Sequence, residues 1–344
     1  MKQTVLQLML KTGAFTPFRL ARRTQGLILC YHRFSLQEES RKTSAQLFAE
    51  NVNYLKKHYT VIPLAQLATR RKEGKSLRGL AAITIDDGYC DAYDIAFPIL
   101  RHYQAPATLF VCTAFLSRQA WLWTDKLRYI TSATPAHELT VTLNGQAQHT
   151  KLPGRLARLA AADQINEKLK ALPDEVKEQA IERIAQQHGV FLPALPPDEY
   201  RAITWDQARE LDAHGVAIES HTMTHPILTQ VPSQRLHHEL RGARQQLAAE
   251  LGRDGQLFCY PNGAYDAGVQ AAVAQAGYEC AVTTRHGFVT PHSDLLTLRR
   301  VQGEADQAHF VQATSGFEEL KLRWVNRQGE SSAWKKESPG ELTQ

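Results

Sequence analysis

The stretch "AAITIDDGYCDAYDIAFPILRHYQAPATLFVCT", residues 81–113, decides how the chain folds. It opens on "AAITI", a short apolar run with the look of a buried strand. The run stops at two adjacent carboxylates, Asp86 and Asp87. "DAYDIAFPILRHY" then has the character of a helix, which Pro98 is expected to kink or shorten. "ATLFVCT" follows as a second strand. Strand, crossover helix, strand is the repeating unit of a parallel sheet.

The same rhythm continues on both sides. Upstream, "GLILCYH" reads as a strand. "SAQLFAENVNYLKKHY" reads as a helix, with Ser44 as N-cap and Leu47, Phe48, Val52 and Leu55 on one face. Downstream, "VAIES", "QLFCY", "ECAVTT" and "LLTLRRV" read as strands. A helix spans about residues 233–251, with Leu236, Leu240, Ala243, Leu247 and Leu251 at helical spacing and Gly252 as its stop. "AGVQAAVAQAG" supplies another helix. The fold class is therefore α/β, a parallel sheet with helical crossovers, open or closed into a barrel. A length of 344 residues suits a single α/β barrel.

Residues 121–200 break the rhythm. "LTVTLNGQAQHTKL" alternates around Asn144-Gly145, a strong hairpin signal. Charged helical sequence follows up to Gly189. With so few apolar residues for a core of its own, this region is expected to be an insertion in the barrel, not a separate domain. The expected layout is a basic helical segment over 1–25, a barrel over 26–316 and a polar, flexible tail over 317–344.

Composition is that of a globular protein, 43% hydrophobic and 22% charged, and the net charge of +5 is too mild to point to nucleic acid. The charge is uneven, since Lys2, Lys11, Arg19, Arg22, Arg23 and Arg33 all precede the first acid, Glu38. Such a start allows peripheral contact with an anionic membrane surface, although a solvated face is the commoner meaning. No apolar window is long enough to span a bilayer, and "VLQLML" lacks the flanks of a signal peptide. Five cysteines without framework spacing suggest buried thiols in a reducing compartment, so a cytoplasmic, membrane-associated or free, location is expected.

Two like charges at the end of an apolar strand repel one another, and a structural role needs only one. A second cluster explains the pair. "ESHTMTHPIL", residues 219–228, places His221 and His225 four apart, again after an apolar strand. On a helix that spacing stacks the two imidazoles, whereas Pro226 favours a tight turn instead. Taken alone, DDG fits a cap or turn and HxxxH fits ordinary histidines. Together at strand ends they form a donor set for a divalent transition metal, with a position left open for water. One carboxylate can ligate while its neighbour accepts a proton.

These motifs resemble those of the polysaccharide deacetylases, the NodB-homology domain of carbohydrate esterase family four. "TIDDGY" (84–89) resembles the family's first motif, "SHTMTH" (220–225) its second and "FCYPNGAYD" (258–266) its third. "LILCYHRF" and "ATLFVCTAFL" are also similar to family elements, and the resemblance covers about residues 26–301. It implies a distorted (β/α) barrel of about seven strands carrying the hairpin-plus-helical insertion. It implies Asp86 as base, and Asp87, His221 and His225 as ligands of one divalent metal, Zn²⁺ first, with Co²⁺, Ni²⁺ or Fe²⁺ as substitutes. The Tyr89 backbone amide would hold the oxyanion, and Tyr260 and Pro261 would line the sugar site, with Trp123 at the base of the insertion. Two departures stand out. Cys259 occupies the slot of the base-positioning Arg, for which Arg285 or Arg299 is a replacement, and the late Leu-x-His that supplies the general acid is absent. His286, ahead of His32, is the candidate acid. The implied activity is removal of N-acetyl groups from amino sugars of a polysaccharide or lipid-linked glycan. The alternatives are a deformylase or deacylase of a small or lipid-linked amino sugar, and an inactive glycan-binding homologue.

Overall fold

The computed structural model describes residues 2–143 and 145–317. Seven parallel strands follow the predicted runs: β1 (Leu27–Tyr31), β2 (Leu80–Ile85), β3 (Ala107–Val111), β4 (Val216–Ser220), β5 (Leu257–Cys259), β6 (Cys280–His286) and β7 (Leu298–Gln302). Their order is β1-β7-β6-β5-β4-β3-β2, and β2 returns to pair with β1, so the sheet closes into a barrel. Closure is in continuous register, from Leu27 opposite Ala81 to Tyr31 opposite Ile85. β1 and β3 are buried along their whole length, which is why they read as unbroken apolar runs instead of alternating ones.

The helices obey their local signals. Ser44 caps Ala45–His58 by accepting from the Leu47 N–H. Gly252 ends Ser233–Leu251 in the left-handed conformation, φ 69°. After β2 the chain makes a π turn over Ala92–Ala96 and then the short α-helix Phe97–His102. Pro98 is the second residue of this helix, directly after the π turn, where its missing N–H interrupts the regular α-helical bonding.

The 121–200 region departs from expectation in one respect. It holds the helices Trp123–Ala133, Arg155–Leu169 and Asp174–Gln187, and the antiparallel strands Glu138–Leu143 and Gln146–Lys151. Of the expected Asn144-Gly145 turn, Asn144 lies outside the described residues. These elements do share a buried cluster of their own, including Leu127, Ile130, Leu139, Ile165, Leu169 and Ile181, which Ile227 joins from the barrel. Each helix needs only one apolar stripe to feed such a cluster, so the high charge of the remaining faces concealed it.

Before β1 come the helices Lys2–Lys11 and Thr16–Ala21. Val5 and Leu8 are exposed on the first of them. Past Phe317 the expected polar tail lies outside the described residues. Among those described, no helix is long and apolar enough to cross a membrane.

Candidate active site

Two turns at the carboxyl ends of β2 and β4, the strands on either side of β3, make the site. β2 runs into Asp86-Asp87-Gly88. Asp87 and Gly88 have φ of 77° and 89°. A Cβ on Gly88 would lie 3.0 Å from Leu116 Cδ1 and 3.1 Å from Val111 Cγ1, so space and backbone both require glycine. β4 runs into residues 221–225, where Thr222 and His225 have φ of 72° and 60°. The histidines therefore share a turn and not a helix face, as Pro226 suggested. Backbone strain of this kind persists only where the surroundings enforce it.

The Nε2 atoms of His221 and His225 lie 3.4 and 3.5 Å from the same Asp87 oxygen. A tetrahedral ion with bonds of about 2.0–2.1 Å spaces its ligand atoms about 3.3–3.4 Å apart, so both His–Asp87 spacings match those of a bound divalent cation. His221 Nδ1 is bound to the Cys259 carbonyl at 2.7 Å, which turns the Nε2 lone pair toward Asp87. Burial, then the charges of His221 and Lys177, push His225 down to about 3, against the pull of Asp87. Burial would raise Asp87, but its bond to His221 and the charges of His225 and His32 hold it at about 2. Burial likewise opposes charge on His221, yet its bond to Asp87 and the two carboxylates raise its pKa.

Asp86 faces the other way, into a pocket of donors. Arg300 grips it with a bidentate fork, Nη1 to Oδ1 at 2.8 Å and Nη2 to Oδ2 at 2.7 Å. The same guanidinium donates to Thr84 Oγ1 and to the Thr283 carbonyl. The thiols of Cys30 and Cys259 lie 3.6 and 3.4 Å from Asp86 Oδ2. Burial alone would raise the Asp86 pKa, but Arg300 outweighs it and holds the carboxyl well below the usual range. Neither Arg285 nor Arg299 takes this place. Arg299 is exposed and Arg285 lies over the Tyr265 ring. Period-two alternation could have separated the last pair: Arg300 shares a strand face with the buried Leu298, and Arg299 points the opposite way.

The two candidate acids part company. His32, at the end of β1, brings Nε2 to 3.7 Å from Asp86 Oδ2 and keeps 41% of its side chain exposed. It lines a polar groove of about 1070 Å³ that Arg33, Glu39, Lys42 and Glu304 also border. His286 ends β6 and belongs to none of the donor clusters gathered around Asp86 and Asp87 among the described residues. Trp123, Tyr260 and Pro261 are all buried, and Lys177 covers one face of the Trp123 ring at 4.3 Å. The indole Nε1 of Trp123 and the Tyr260 hydroxyl have no bonding partner among the described residues. Tyr89 is fixed at both ends, its hydroxyl donating to Asp125 at 2.6 Å and its ring lying 4.0 Å from the Arg33 guanidinium.

A family model described as polysaccharide deacetylase matches residues 73–281. "Putative polysaccharide deacetylase YxkH" of Bacillus subtilis (strain 168) is 28% identical over 100 residues, 29% of this chain and 36% of that protein, so the match spans little more than a third of that relative. Among solved structures, the Streptococcus pyogenes deacetylase PplD in complex with acetate superposes with a TM-score of 0.54 at 17% identity, covering 81% of this chain and 92% of that one. IcaB from Ammonifex degensii gives 0.52 at 17% identity, covering 85% and 97%. Likeness at this identity speaks for the fold.

Proposed function

The chain belongs to the polysaccharide deacetylase family, and on that premise we propose that it is a divalent-cation-dependent hydrolase that removes N-acetyl groups from amino sugars of a polysaccharide or lipid-linked glycan. The observation that carries this reading is the largely buried Asp87–His221–His225 triad lying beside a separately held carboxylate, Asp86. Asp87, His221 and His225 would hold the cation, Zn²⁺ by donor type, and its charge would supply Lewis-acid activation of water and of the acyl carbonyl, so that even a weakly basic carboxylate could take the water's proton.

The chain's own residues supply the remainder. Asp86 accepts the proton of the attacking water, and Arg300 keeps it ionised and aimed. The Tyr89 amide, on a peptide whose side chain is locked by Asp125 and Arg33, donates to the developing oxyanion. His32 hands a proton to the departing amine; its place at the groove and near Asp86 favours it over His286. The exposed Val5 and Leu8, on a helix ending in Lys11, support peripheral contact with an anionic membrane surface.

Cation content tests the triad. Wild type, stripped with chelator and refilled with Zn²⁺, is expected to hold one equivalent and His221→Ala far less; equal content in both would sink the assignment. Acyl release from N-acetylated chitooligosaccharides and lipid-linked amino sugars tests the reaction. Acetate supports the proposal, formate assigns a deformylase, and no release from the cation-loaded protein leaves a glycan-binding role. For the acid, His32→Gln is expected to lose amide hydrolysis by about 10²–10⁴-fold while sparing an activated aryl ester, whose leaving group needs no proton. Equal losses on both substrates would remove His32 from that role.

A further inference from the structure

The turn that carries the two histidines is braced from behind by a carboxylate that the proposed reaction does not use. Glu239 is buried on the helix Ser233–Leu251. Its Oε2 accepts the N–H groups of Met223 at 2.9 Å and Thr224 at 3.0 Å, and its Oε1 accepts the Thr224 hydroxyl at 2.5 Å. Two consecutive N–H groups converging on one carboxylate oxygen make a small anion-binding nest, and charge-assisted bonds of this kind are strong. From the opposite side, the N–H groups of Thr113 and Ala114 donate to the carbonyls of Thr222 and Met223 at 3.1 and 3.0 Å. The His225 N–H closes the turn on Thr222 Oγ1 at 3.0 Å. The left-handed φ values of Thr222 and His225 are thus held in place by bonds on both flanks.

The brace extends into the insertion. Arg235 Nε lies 3.8 Å from Glu239 Oε1, and its Nη1 binds Asp174 at 2.7 Å. Asp174 opens the insertion helix Asp174–Gln187 and is itself buried and paired with buried Lys177. A continuous line of charge therefore runs from the insertion, through Asp174, Arg235 and Glu239, to the turn between the histidines.

We propose that Glu239 is a positioning residue for the cation, setting the separation of His221 and His225, and that Arg235 makes docking of the insertion at Asp174 a condition of tight cation binding. This rests on the reading of Asp87, His221 and His225 as ligands. The insertion then belongs to the cation site and is more than a covering layer.

Titration with Co²⁺, followed by the visible absorption of the bound ion, tests it on the whole chain. Glu239→Ala is expected to bind about 10–100-fold more weakly than wild type. Glu239→Gln should recover most of the affinity, because its amide oxygen can accept both N–H groups and its NH₂ can donate to the Thr224 hydroxyl. Arg235→Met, which leaves Glu239 in place, should lose about 3–10-fold. Wild-type affinity in a Glu239→Ala protein that circular dichroism shows to be folded overturns the proposal. If Glu239→Ala does not fold, wild-type affinity in Arg235→Met overturns it instead. A wild type that itself fails to bind Co²⁺ overturns the ligand reading too, and is told apart because no variant then differs.

Discussion

Arg300→Met is expected to cost about 3–5 kcal/mol of stability near neutral pH, because it leaves the Asp86 carboxylate buried without its partner. Arg300 is fully buried and gives Asp86 both arms of its fork. In wild type Asp86 is depressed below its unfolded value, so the pair's contribution is complete above the unfolded pKa of about 4 and is lost as pH falls through the lower folded value. In the variant, burial is opposed only by the charges of His32 and His221, so the Asp86 pKa rises and protonation at lower pH relieves part of the cost. Urea unfolding in chelator at pH 7 and at pH 4.5 should therefore give a wild-type-to-variant gap that narrows at the lower pH. A gap of equal size at both would mean that lost packing, not the bare carboxylate, sets the cost. Arg300→Lys keeps the charge but not the fork, and should recover only part of the stability.

Asp86→Asn is expected to lower turnover by about 10²–10⁴-fold while the protein still takes up one divalent ion. The amide cannot accept the proton, yet it has nearly the same shape, and Asp87 faces the histidines independently at 3.4 and 3.5 Å. Cation content and initial rates on the same preparation check this. If Asp86→Asn lost the ion and Asp87→Asn kept it, the roles of the two carboxylates would be exchanged.

Much of the barrel was legible because buried parallel strands are uninterrupted apolar runs and their crossovers have helical spacing. All seven barrel strands overlap runs read from sequence. The two turns that bring Asp86, Asp87, His221 and His225 together were legible for a different reason: charge at the end of an apolar strand is costly and so calls for a purpose. What stayed hidden depends on distance along the chain. Arg300 meets Asp86 only through the closed barrel, and nothing local in "LTLRRV" distinguishes a buried arginine from an exposed one except strand alternation. The Glu239 brace was equally silent, since a glutamate in a charged helix looks like any solvated one until its partners fold onto it. The insertion's own cluster was missed because overall composition was weighed where the stripe on each helix should have been.

Seven-strand closure also imposes an order in time. Asp86 and the arginine that neutralises it are 214 residues apart. At ribosomal rates of about 5–20 residues per second, the first waits roughly 10–40 s for the second to be made. Throughout that interval β1 lacks β7 as its neighbour and keeps an open edge, β6 is itself made only near the end, and a carboxylate destined for burial keeps its water. Docking of β7 seals the edge and delivers the counter-ion in one event. The nascent barrel therefore cannot neutralise Asp86 early: the strand that finishes the architecture is the strand that brings the counter-ion.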